Sequence, residues 1–145
     1  IVRYKDINIG VSVALPNNGL MNVVAHNADK RALSDLAVEN KAMYDRAREG
    51  KIKPNDLKGA TFTISNLGPY NVDHFSAIIS APEAGILAIG SAKKVPVVKP
   101  DGTIGVGNMM SVTISIDHRV SDGAEGAEYM QEFRSLVENP MRLMV

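Results

Sequence analysis

The segment from Met110 to Val137 constrains the fold most, because its hydrophobic period changes from that of a strand to that of a helix within a few residues. Met110, Val112, Ile114 and Ile116 alternate with Ser111, Thr113, Ser115 and Asp117, the pattern of a half-buried strand. Ala124, Ala127, Met130, Phe133, Leu136 and Val137 then recur at helical spacing. Between them lies only Asp117-His118-Arg119-Val120-Ser121-Asp122-Gly123. This polar turn carries a helix directly off the end of a strand. Either Ser121 or Asp122 can cap the helix N-terminus, and the helix dipole favours the carboxylate. Gly123 allows a sharp turn or a close backbone approach.

Upstream, strands and helices come in mixed order. Ile7, Ile9, Val11, Val13 and Leu15 alternate with polar or small residues, and Asn17-Asn18-Gly19 marks a turn into a return strand from Leu20 to Val24. From about Asp29 the period becomes helical through Leu33, Leu36, Ala37, Met43, Tyr44 and Ala47, and Gly50 supplies a stop. Pro54-Asn55-Asp56 reads as a turn or short helical start. Phe62 to Ser65 alternates as a strand until Gly68-Pro69-Tyr70-Asn71 breaks it. Ile86 to Ile89 is a buried apolar run, and Val95 to Lys99 with Ile104 to Val106 flank Pro100-Asp101-Gly102-Thr103 as a hairpin.

A chain of 145 residues fits one domain that can bury about two-thirds of its unfolded surface. Lysine plus arginine equals aspartate plus glutamate at 16 each, which gives no electrostatic footprint for nucleic acid or an anionic membrane. No apolar run reaches the roughly 18 residues of a membrane span, and charges stand where a signal peptide would be apolar. The sequence contains no cysteine, so any nucleophilic thiol must come from a substrate; the same absence suits a reducing compartment. The chain lacks an initiator Met and opens in mid-pattern, so residue 1 is expected to be an internal boundary of a longer protein.

A histidine at a strand end, on rigid elements and facing open space, suits a general base. The alternative is that the turn holds only a cap and an Asp–Arg ion pair. A metal centre is not indicated, because His26, His74 and His118 do not lie at ligand spacing from one another. His26 and His74 are expected in surface loops, and the charged run from Asp45 to Lys53 as a solvated helix end.

The segment Asp117-His118-Arg119-Val120-Ser121-Asp122-Gly123 resembles the active-site motif of the dihydrolipoyl acyltransferase components of 2-oxo acid dehydrogenase complexes. Phe62-Thr63-Ile64-Ser65-Asn66-Leu67-Gly68, Phe75-Ser76-Ala77-Ile78-Ile79 and Ala81-Pro82-Glu83-Ala84-Gly85-Ile86-Leu87-Ala88-Ile89-Gly90 resemble further family signatures, and so does Tyr4-Lys5-Asp6-Ile7-Asn8-Ile9-Gly10. The resemblance covers essentially the whole chain. It implies an α/β fold (an α+β two-layer sandwich), with a mixed sheet and flanking helices similar to chloramphenicol acetyltransferase. It also implies that residues 1–145 are a catalytic acyltransferase domain without its N-terminal portion.

The resemblance implies that His118 takes a proton from the thiol of coenzyme A or of dihydrolipoamide. An ordinary thiol titrates near about 8.5 and histidine near about 6.5, so that transfer is uphill by roughly 2.7 kcal/mol, and no Ser–His–Asp triad is required. Ser65 matches the hydroxyl that stabilises the oxyanion, Asn66 and Gly90 match positions near the coenzyme A channel, and Asp122 matches a position that handles a proton or fixes the turn. Asp117 and Arg119 are expected to pair and orient the loop. Asn22 and His26 depart from the family, which more often has proline and a basic residue there. The lipoyl group would ride on a separate domain absent from these residues.

The implied partners are two further copies in a homotrimer that shares its active sites across interfaces, so that Ser65 of a neighbouring subunit completes the His118 site, together with a cubic or dodecahedral core built from trimers, a 2-oxo acid decarboxylase and a dihydrolipoamide dehydrogenase. Met141, Leu143, Met144 and Val145 form an apolar tail suited to joining trimers, or to folding back on its own domain. The expected compartment is the cytoplasm, or the mitochondrial matrix in a eukaryote. Ser65 with the Phe75–Ile79 stretch looks most like the pyruvate dehydrogenase branch, so acetyl is the expected group. Succinyl or branched-chain acyl transfer, and a non-catalytic core paralogue, are the alternatives.

Overall fold

A computed structural model of the chain describes residues 1–16 and 19–143. Five strands form one mixed sheet in the order β2-β1-β3-β4-β7: β1 (Ile9–Ala14), β2 (Leu20–Ala25), β3 (Phe62–Asn66), β4 (Gly85–Ile89) and β7 (Val112–Ile116). β1 and β2 pair antiparallel, β3 runs parallel to both β1 and β4, and β7 returns antiparallel to β4. β5 (Lys93–Val98) and β6 (Ile104–Met109) form a separate hairpin. Asn17 and Asn18 of the expected first turn, and Met144 and Val145 of the apolar tail, lie outside the described residues.

Both long helices, α1 (Leu33–Arg48) and α2 (Gly123–Glu138), cover the same face of the sheet. The register shows why. Ile9, Val11 and Val13 share a face with Phe62 and Ile64, through the pairs Ile9↔Phe62 and Val11↔Ile64. On that face Met43 and Ala47 of α1 pack with Val13, Val23 and Ala25 in the core. Phe62 meets Tyr129 of α2 with ring centroids 5.9 Å apart. Ile116 fills the space beside Gly126, where an added Cβ would lie 3.1 Å from its Cδ1. Each fully buried side chain such as Met43 contributes about 1.5–3 kcal/mol of hydrophobic stabilisation. The expected two-layer sandwich is therefore present.

The other face carries Gly10, Thr63, Ser65, Ile86, Ala88, Thr113 and Ser115. An irregular stretch between Asn71 and Ala84 crosses it, tied by Ser115 Oγ donating to the Ala77 carbonyl at 2.8 Å. Ser91 Oγ lies 3.0 Å from the Gly68 and Val72 carbonyls and anchors the start of the same stretch.

Several local expectations need correction. α1 begins at Leu33 rather than near Asp29, because Asn27 adopts a left-handed conformation and Arg31 and Ala32 are extended, which isolates a 3-10 turn at Ala28–Lys30. Its end is as expected: Gly50 has φ +70°, with Lys51 N–H bonding the Arg46 carbonyl at 2.9 Å in a Schellman arrangement. β7 begins at Val112, so Met110 precedes the strand. His74 is exposed, but His26 is half-buried, with Nε2 3.0 Å from the Asn55 carbonyl oxygen.

The Asp45–Lys53 run is not simply solvated. Arg46 donates to Asp56 Oδ2 at 2.8 Å, and Asp56 is 7% exposed. Burial acts to raise the Asp56 pKa, but hydrogen bonds from Arg46 and the Lys53 N–H outweigh it and hold the carboxyl below its ordinary range. Asp56→Asn should therefore cost about 1–2 kcal/mol in chemical denaturation at neutral pH. The contribution of a carboxylate with a lowered folded pKa is present above its unfolded value and lost as pH falls through the folded value. The gap between wild type and Asp56→Asn should accordingly narrow as the pH is lowered into the carboxylate range.

Candidate active site

β7 delivers the chain to the His118 turn, and its last contact fixes where that turn begins: Asp117 N–H donates to the Ala84 carbonyl at 2.8 Å, just before β4. The Asp117 carbonyl then accepts from Val120 at 2.8 Å and from Ser121 at 3.1 Å, closing the turn. The Asp117 carboxylate accepts from Arg119 Nε at 2.9 Å and Nη2 at 2.6 Å, and from the Arg119 N–H at 3.0 Å. The Arg119 hydrogen bonds hold the Asp117 carboxyl well down, to a pKa of about 2. This is the expected Asp–Arg pair, and it brackets His118 on both sides.

Asp122, not Ser121, is the helix cap. Its Oδ1 accepts from Ala124 and Glu125 N–H groups, both at 2.9 Å, and Glu125 reaches back to complete a capping box. Ser121 Oγ donates to the Glu125 carboxylate at 2.7 Å. The cap occupies Asp122 with backbone donors, which is the turn-fixing half of its two expected roles. His118 itself is exposed, and among the described residues no hydrogen bond holds its ring.

Ser65, Asn66 and Gly90 come together at the opposite end of the sheet. Asn66 pairs with Ile89, and Leu67 N–H donates to the Ile89 carbonyl at 3.1 Å, so the ends of β3 and β4 lie side by side. Asn66 is exposed and its Oδ1 accepts from Gly68 N–H at 2.8 Å. Gly90 is glycine for a packing reason: a Cβ there would lie 2.0 Å from the Asp73 carbonyl oxygen.

One chain does not bring Ser65 to its own His118. Ser65 is level with Ala88, and Ala88 with Thr113. His118 lies five residues past Thr113, in the direction away from the Ser65 end of β3. At about 3.3 Å per residue the three strand residues to Ile116 alone carry the chain roughly 10 Å along the sheet before the turn begins, besides two interstrand steps of about 4.8 Å.

Two clefts lie elsewhere. One of about 400 Å³ is lined by Asn8, Asn22, Thr61, Ser80 and Glu83 among others, and the other, about 660 Å³, lies between the β6–β7 region and α2. Neither is lined by His118 or Ser65. In the first, Asn22 Oδ1 accepts from Ser12 Oγ at 2.8 Å. Sequence reasoning gave Glu83 no role, although it is 8% exposed. Among the described residues no group of three or more His, Asp or Glu side chains converges as a metal site, and no helix is long and apolar enough to cross a membrane.

The family model for the 2-oxoacid dehydrogenases acyltransferase (catalytic domain) matches residues 1–145. Component 2 of the mitochondrial dihydrolipoyllysine-residue acetyltransferase of the pyruvate dehydrogenase complex from Arabidopsis thaliana is 45% identical over 148 residues, covering 100% of this chain and 27% of that protein. Across the curated relatives it matches, the chain spans about a third of their length or less. Among solved structures, dihydrolipoamide acetyltransferase of Azotobacter vinelandii superposes with a TM-score of 0.92 at 31% identity, over 99% of this chain and 58% of that one. The cubic core of a pyruvate dehydrogenase multienzyme complex also superposes at 0.92, with 32% identity and the same coverage. With the strand–turn–helix that presents His118 set in a sheet shared with those cores, the chain belongs to the family of 2-oxoacid dehydrogenase acyltransferase catalytic domains.

Proposed function

We propose that this chain is the acyl-transferring part of a pyruvate dehydrogenase complex component, which moves an acetyl group between dihydrolipoamide and coenzyme A and builds the core of that complex. The observation that carries this reading is the family match over residues 1–145, with His118 on an exposed turn braced by Asp117–Arg119 and the Asp122 cap. The Azotobacter vinelandii enzyme has been studied for the roles of a serine, a histidine and an asparagine in catalysis, and its histidine and asparagine stand at the spacing of His118 and Asp122. An aspartate in place of that asparagine still supplies the cap acceptor.

In the proposed cycle neutral His118 takes the proton of the attacking thiol as its sulfur adds to the thioester carbonyl. The tetrahedral oxyanion accepts a hydrogen bond from Ser65 of a neighbouring subunit, and collapse breaks the original C–S bond. The departing thiolate regains the proton from His118, so nothing is consumed except the two substrates. The separation of Ser65 from His118 within one chain supports a site shared between copies. Asn66 and Gly90, beside Ser65, are assigned to the approach of coenzyme A. The lipoyl group belongs to another domain of the full-length protein.

The solved cubic core supports assembly into a larger particle, and the proposal adds that trimers build it and that the decarboxylase and dihydrolipoamide dehydrogenase components surround it. Met141 and Leu143, 73% and 54% exposed, are suited to inter-trimer contacts. The cellular setting is a bacterial cytoplasm or, as for the Arabidopsis relative, a mitochondrion.

The test is acyl transfer to dihydrolipoamide by the full-length protein, with acetyl-, succinyl- and isobutyryl-coenzyme A compared by kcat/KM. Acetyl should be preferred by about tenfold or more, a difference of about 1.4 kcal/mol between transition states. A succinyl or branched-chain preference would move the protein to another complex, and no transfer with any donor would remove the enzyme reading.

A further inference from the structure

Glu83 stands just before β4 with 8% exposure, and its Oε2 has no hydrogen-bond partner among the described residues. The Thr63 hydroxyl, on a fully buried residue, lies near enough to the carboxyl to favour its charged form but makes no well-aligned hydrogen bond among the described residues. Thr63 lies on the helix-free face of β3, two residues before Ser65 on the same face. Its Oγ1 occupies the room left by Gly10 of β1, where an added Cβ would lie 2.5 Å away. Three lines of chain thus converge: Gly10, Thr63 and the lead into β4. The residue after Glu83 is Ala84, whose carbonyl holds Asp117 N–H and starts the His118 turn.

We propose that Glu83 is a positioning residue: its carboxyl, set against Thr63 over Gly10, fixes the lead into β4 and thereby the turn that presents His118. It acts in its neutral form, since a carboxylate buried here would lack the donors that offset its desolvation. Burial pushes the Glu83 carboxyl up, and the Thr63 hydroxyl opposes this only in part. Among the described residues no cation forms an ion pair with it. Of the titratable groups lining the same cleft, Asp6 is paired with Lys30 at 2.8 Å, and Tyr4 and Lys5 are exposed. Around it Asn8 and Thr61, just ahead of β1 and β3, and Asn22 of β2 are all uncharged. Beyond Ala84, Asp117 is engaged by Arg119.

The catalytic arm of this inference rests on the acyltransferase reading, whereas a thermal arm does not. A carboxyl with a raised folded pKa stabilises fully at low pH and loses that contribution as pH rises through the folded value. In the full-length protein, the Tm of wild type should therefore fall relative to Glu83→Gln as the pH is raised above the ordinary carboxylate range. With acetyl-coenzyme A and dihydrolipoamide, Glu83→Ala should lower kcat about tenfold with KM within about twofold, and Glu83→Gln should restore kcat to within about twofold of wild type. Parallel Tm–pH curves for wild type and Glu83→Gln would overturn the inference whatever the activity. So would a Glu83→Gln variant as slow as Glu83→Ala, or a Glu83→Ala variant as fast as wild type. Should the alanine variant not fold, the Glu83→Gln thermal comparison decides alone. A wild type without transfer activity but with the expected Tm divergence would sink the functional reading and leave the bracing role of Glu83 standing.

Discussion

In the full-length protein, His118→Ala should lower kcat for acetyl transfer by about 10²–10⁴, the range a positioned general base supplies. KM should change little, because the proton is transferred only as the transition state forms. The loss has a simple origin. An ordinary thiol is about 3% thiolate at pH 7, so without a base the attack depends on that small fraction or on solvent. Raising the pH should thus recover part of the activity of His118→Ala as the thiol ionises on its own, while wild type gains less. A variant indistinguishable from wild type at pH 7 would exclude His118 as the base and favour the non-catalytic core alternative. Circular dichroism and particle size should be unchanged, since His118 is exposed and its ring makes no hydrogen bond among the described residues.

Ser65→Ala should cost about 10²–10³ in kcat, as loss of one oxyanion donor does elsewhere, and the loss should not be recovered at high pH. That contrast separates the two roles: one residue makes the nucleophile, the other stabilises what the nucleophile forms. Ser65 is half-buried in the centre strand of the sheet, and alanine is a small, apolar replacement there, so the fold should hold.

The strand–turn–helix of His118 was legible in the sequence because every signal in it is local. The change of period, the capping Asp122 with Glu125 three residues on, and the Asp117–Arg119 pair all act within one turn of chain. The β5–β6 hairpin was legible for the same reason, through Pro100-Asp101-Gly102-Thr103. Residues 71–84 were legible only by resemblance, since they have neither period and are held by distant side chains such as Ser91 and Ser115. Asp56 and Arg46 pair across ten positions and two elements, which no local pattern encodes. Likewise Glu83 looks like one more charged loop residue until strand order buries it beside Thr63.

The site followed the same division. Each residue could be named from its motif, but where Ser65 stands relative to His118 depends on β3, β4 and β7 being neighbours in that order. Only then does the distance along the sheet become apparent, and it supports the site shared between subunits that the family resemblance implies. Gly90 changed character for a similar reason. Its lack of a side chain answers the Asp73 carbonyl, a contact made by chain that the motif does not include.

The most direct test of a site shared between subunits is to co-assemble full-length His118→Ala with full-length Ser65→Ala. Each variant alone should be nearly inactive. In mixed particles, confirmed by mass, an interface drawing His118 from one chain and Ser65 from another is intact in about one case in four under random mixing. The equimolar mixture should therefore regain roughly a quarter of wild-type kcat per site. Mixed particles that stay as inactive as the two parents would contradict a site built from two chains.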